Sequence, residues 1–125
     1  MEIRSNRNLR ILESLSRTTT AQGTSEDFRN PNMRGIHVVL DVTVPGTGEI
    51  VLSIEGKDQM SGEYYTLLTG AAVSTDSTNV YKVMPDITAA TNVAVNDMVP
   101  ETFRIKVTHN NVNAITYSVG ASLGW

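Results

Sequence analysis

From residue 35 onward, apolar and polar positions alternate in short runs. Over residues 35–43, Ile36, Val38, Leu40 and Val42 fall on one face and His37, Asp41 and Thr43 on the other. That two-residue period belongs to a half-buried strand. Residues 44–48, Val-Pro-Gly-Thr-Gly, form a turn by composition. Residues 49–56 then alternate again, with Ile50, Leu52 and Ile54 inward and Glu49, Val51, Ser53 and Glu55 outward. The two runs and the turn between them read as a hairpin.

Further strands are expected at residues 64–69, 79–84, 101–109 and 114–123. Residues 57–63 and 74–78 are polar turns, and Pro85 stops the strand before it because proline brings no N–H to a ladder. Residues 86–100 lack a clean period and read as a long loop or crossover with room for one helical turn. Phe103, Ile105 and Val107 alternate with Arg104, Lys106 and Thr108. In the last run Ile115, Tyr117, Val119, Ala121 and Leu123 share one face, and the other holds only Thr116, Ser118, Gly120 and Ser122. A face that small lets another backbone approach closely.

Residues 1–33 are harder to assign. Leu9, Ile11, Leu12 and Leu15 fit a helix through the spacings 9/12 and 11/15 and a strand through 9/11/15. The threonines at 18–20 favour strand, and residues 23–33, broken by Asn30-Pro31-Asn32, read as loop. The expectation is an extended arm that pairs with a sheet between residues 8 and 22, whether of its own body or of a neighbour. The fold class expected is all-β: an antiparallel sandwich or small barrel of six to seven strands. An N-terminal arm and loop (1–33) would precede a sandwich body (34–125).

Charge sharpens the division. Six arginines against four acids give residues 1–34 a charge of +2, while four cations against nine acids give the rest −5. A basic arm on an acidic body is expected to meet something acidic, such as a neighbouring copy; interleaved acids weaken the case for nucleic acid. The candidate partner-binding residues are Arg4, Arg7, Arg10, Arg17 and Trp125. With no cysteine, disulfides, thiolate catalysis and thiolate metal sites are excluded. The polar, basic start lacks an apolar signal region, and no run nears the roughly 20 apolar residues a span requires. The expectation is a soluble chain made in the cytoplasm, with no membrane partner.

Little else suggests chemistry. His37 and His109 lie on polar strand faces with no third ligand, and read as surface residues. Glu55 and Asp58 read as solvated carboxylates, and residues 57–63 are too poor in oxygen ligands for calcium. No activated serine, phosphate-binding loop or dinucleotide fingerprint occurs, so no catalytic residue, metal or cofactor is assigned and the chain is read as a non-enzyme. Tyr64 and Tyr65 fall on opposite faces, which limits any platform for sugar rings.

Four stretches resemble small structural proteins of tailed bacteriophages and prophages. They are R-G-I-H-V-V-L-D-V-T (34–43), I-E-G-K-D-Q-M-S-G-E-Y-Y-T-L-L (54–68), V-Y-K-V-M-P (80–85) and I-T-Y-S-V-G-A-S-L (115–123). The resemblance covers about residues 17–125, and the motifs carry no catalytic residue. It implies a virion structural protein, and within that class a capsid decoration (cement) protein. Such a protein packs on the major capsid protein and on copies of itself, commonly as a trimer, and sits on the capsid surface after synthesis in the host cytoplasm. A tail or head–tail connector component, and a carbohydrate-binding surface module, are the alternatives.

Overall fold

The computed structural model describes residues 7–124, and every regular element among them is a strand. In chain order these are β1 (Arg7–Arg17), β2 (Phe28–Arg29), β3 (Gly35–Val44), β4 (Ile50–Lys57) and β5 (Tyr64–Thr69). There follow β6 (Ser77–Val83), β7 (Ala94–Val95), β8 (Thr102–His109) and β9 (Ile115–Gly124). The strands form two sheets, ordered β1-β9-β3-β6-β7 and β2-β8-β4-β5. The sheets do not close on one another, so the arrangement is sandwich-like and the barrel alternative is set aside. No helix among the described residues is long and apolar enough to cross a membrane.

The alternation explains why both sheets bury the same core. Ile36, Val38, Leu40 and Val42 of β3 join Ile50, Leu52 and Ile54 of β4 in a single cluster. Phe103, Ile105 and Val107 of β8 and Ile115, Tyr117, Val119 and Leu123 of β9 complete it. Each such side chain, fully buried, contributes about 1.5–3 kcal/mol relative to exposure.

The hairpin expected from residues 35–43 and 49–56 does not form. β3 pairs with β6 and β9 in one sheet, while β4 pairs with β5 and β8 in the other. The intervening turn is instead an arch that carries the chain across the core. Gly46 makes it possible: its φ is +63°, and a Cβ there would lie 2.4 Å from the Ala114 carbonyl oxygen.

Two stretches expected to be loop also contribute to the sheets. Residues 23–30 run along the side of β8 that β4 leaves free. Ser25 N donates to Ile105 O (2.9 Å), Val107 N to Gly23 O (2.8 Å) and Asn30 N to Glu101 O (2.7 Å), and Phe28 pairs with Phe103. Residues 86–100 contain β7, which runs parallel to β6, and hold a tight turn at 90–94 in place of a helical one.

β1 is a strand of this chain's own sheet. It pairs antiparallel with β9 from Arg7↔Leu123 to Arg17↔Ile115, with register shifts between Arg10 and Leu12 and between Leu12 and Leu15. Each shift inserts one extra residue into β1, the signature of a β-bulge.

Candidate functional site

Among the described residues, β1 pairs on one side only, with β9, and its other side ends the sheet. It is the longest strand, at 11 residues, and contains no proline. Its outer row of N–H and C=O groups is the kind of edge to which another strand adds. Arg7 and Arg10 are both exposed on it; Arg10 stands opposite Gly120, where no side chain crowds it. Arg10, Glu13 and Ser14 line a shallow groove of about 320 Å³ together with Ser118 and Gly120 of β9. The small face of β9 therefore leaves open space on the outside of the sheet. Leu15 is 50% exposed, an apolar side chain at the same edge.

The other candidate residues stand elsewhere. Arg4 and Trp125 lie outside the described residues. Arg17 is only 5% exposed, and its guanidinium is committed to its own chain. It donates to Tyr117 O (2.8 Å), Glu13 O (2.6 Å) and Leu15 O (3.3 Å), carbonyls on both strands beside the second bulge. These acceptors flank the register shift between Leu12 and Leu15, and the planar fork of arginine reaches them together. The same guanidinium sits 4.8 Å from the centroid of the Tyr117 ring.

Around Arg17 a buried polar cluster ties residues 17–23 to the body. The Tyr117 hydroxyl lies 2.8 Å from His109 Nε2, and His109 N donates to Thr20 Oγ1 (2.9 Å). Burial pushes the Tyr117 hydroxyl up to about 12. Burial, and secondarily the Arg17 charge, hold the His109 ring below the usual histidine value. His109 Nδ1 is buried with no hydrogen-bond partner, so the ring is half satisfied. Gly23 closes over the cluster, since a Cβ at that position would lie 2.6 Å from both the Tyr117 hydroxyl and the Val107 carbonyl oxygen. His109 is thus half-buried and structural, not the surface residue its alternation suggests. His37 stays exposed on β3, in the opposite sheet.

A second polar group ties the next few residues to the body, this time on the outer face of β4, β5 and β8. The Tyr64 hydroxyl donates to Asp27 Oδ1 (2.6 Å), and Lys57 Nζ lies 3.2 Å from Asp27 Oδ2. Arg104 Nε donates to Glu55 Oε1 (2.8 Å), with the guanidinium 3.5 Å from the Tyr64 ring centroid. The bond from Tyr64 lowers the Asp27 carboxyl, aided by Lys57, and Asp27 in turn raises the Lys57 ammonium. This arrangement covers one face of the Tyr64 ring, so that ring is not an open platform for a sugar.

The remaining candidates are closed into local structure. Asp58 accepts from Ser61 Oγ (2.7 Å) and from the Met60 and Ser61 amides, which lowers its carboxyl and shapes the turn. Among the described residues no group of three or more His, Cys, Asp or Glu is placed to hold a metal ion. A cleft of about 430 Å³ is lined by Met33, Pro85 and Met98, with Arg29 and Arg34 each paired to an acid at its rim. No known family model matches the chain, and no curated protein is similar to it.

Proposed function

We propose that the chain is a virion structural protein that decorates a capsid, working through protein–protein packing and catalysing no reaction. The observation that carries the reading is the outer edge of β1, an 11-residue strand that has no partner there among the described residues, presents Arg10 beside an open groove and leaves Arg7 exposed. An edge of this kind adds a strand through main-chain bonds, while its side chains select the partner. On a lattice, many repeated modest contacts of this sort sum to a large stabilisation. The resemblance of residues 34–43, 54–68, 80–85 and 115–123 to phage structural proteins supplies the setting, with the major capsid protein and further copies of the chain as partners.

The test is a count of this protein in purified virions by quantitative mass spectrometry against the major capsid protein. Hundreds of copies per particle support decoration. A few to a few dozen would move the protein to the tail or the head–tail connector, and absence from the particle would refute the structural reading.

A further inference from the structure

The outer edge of β1 carries its own complement. Arg10 and Glu13 are both exposed and line the same groove on the outside of the sheet. They carry opposite charges three positions apart in sequence. We infer that the occupant of this edge is a second copy of the chain, its β1 running antiparallel about a two-fold axis between Ile11 and Leu12. The inference rests on reading the β1 edge as a docking element.

Antiparallel pairing about that point sets Arg10 opposite Glu13 of the second copy, and Glu13 opposite Arg10, so a single geometry forms the ion pair twice. Directly opposed residues of paired strands share a face of the sheet, which is the condition these two already meet. When the extra residue of the second bulge is counted, half-exposed Leu15 falls opposite Leu9 of the second copy. Leu9 and Leu15 occupy equivalent inward registers, opposite Ala121 and Tyr117 of β9. The interface would be isologous, the commonest form of homo-oligomer contact.

An alternative role for these charges is protection of a bare edge against unwanted pairing. Protection is best served by charges of one sign, because like charges facing each other oppose association. Arg7 and Arg10 alone would fit it. Glu13 does not, since it turns the repulsion between copies into attraction in one register only. A three-fold assembly would need β1 to meet a different edge of its neighbour, and Arg10 would then not face Glu13.

Sedimentation equilibrium of the full chain at low salt tests the pairing. The expected result is a dimer at micromolar concentration. Arg10→Glu and Glu13→Arg should each weaken it at least tenfold, and the double variant carrying both should restore it. Far-UV circular dichroism melts would show that each variant is folded, as expected for exposed positions. A monomer at every concentration, a trimer, or a double variant no better than either single one would overturn the inference. Virion copy number is read separately: a dimer absent from particles sinks the decoration reading alone, and an abundant virion protein that is monomeric in solution sinks the pairing alone.

Discussion

Residues 17–27 are held to the body at two places by polar groups, and the two are built in opposite ways. At the first, Arg17, Tyr117 and His109 lie within the fold: Arg17 is 5% exposed and Tyr117 fully buried. At the second, Asp27, Lys57 and Tyr64 make bonds of similar length on the surface, where the Lys57 and Asp27 side chains are 29% and 34% exposed. Geometry alone would rank them as equals. Water separates them, because a surface group that loses its partner finds a solvent one, whereas a buried group is left unsatisfied.

The widest gap between the two should follow from removing the buried cation. Arg17→Ala strands the carbonyls of Glu13, Leu15 and Tyr117 beside a bulge and is expected to cost about 3 kcal/mol, read as a fall in the urea midpoint at unchanged slope. Tyr117→Phe keeps the packing but deprives His109 Nε2 of its partner, for an expected loss of about 1–2 kcal/mol in the same measurement. A Tyr117→Phe variant as stable as the parent would erase the contrast.

Acidification sharpens the comparison without mutation. The ring of His109 is held below its ordinary value of 6.5, so the unfolded chain binds the proton more readily than the folded one. Stability from this group is therefore complete above about pH 6.5 and declines as the pH falls below it. Urea midpoints at pH 7.5 and 5.5 should differ in the parent, and His109→Asn should shrink the difference. The surface group contributes nothing in that window, because its carboxyl, Asp27, is lowered from 3.8 and stays ionised throughout. The smallest effect belongs to Lys57→Met, expected to lower the urea midpoint only slightly, with the difference vanishing in high salt. A loss as large as that of Arg17→Ala would mean that burial is not what distinguishes the two anchors.

The strands were the legible part of this chain, and their partners were not. β3, β4, β8 and β9 show a two-residue period because one face of each meets the shared core. That period is the same whether two strands join in a hairpin or arch across a sandwich, so residues 44–48 could not reveal which. β1 hid its nature for a different reason. Leu9, Leu12 and Leu15 meet Ala121, Val119 and Tyr117, successive inward positions of β9, through bulges that stretch a spacing of two into three. A three-residue step is what a helix would also give. The exposed candidates Arg7 and Arg10 were readable from charge alone. The burial of Arg17 was not, since nothing in its neighbours announces that Tyr117, 100 positions away, supplies an acceptor and an aromatic face. The His109–Tyr117 bond likewise links a residue read as outward to one read as inward, which an alternation pattern cannot express.

β9, ninth in sequence, is inserted between the first strand and the third. During synthesis on a ribosome, then, β3 can pair with β6 early, but β1 and the other side of β3 wait until residues 115–124 are made. The open backbone of β1 and of that side of β3 stays available over that interval to any other nascent copy of the chain. Closing the gap also requires contacts across nearly the whole described sequence, Arg7 with Leu123 among them. The last step of folding should be slow and should govern how much of the chain escapes aggregation, so a slower-growing host culture is expected to yield more soluble protein than a fast one.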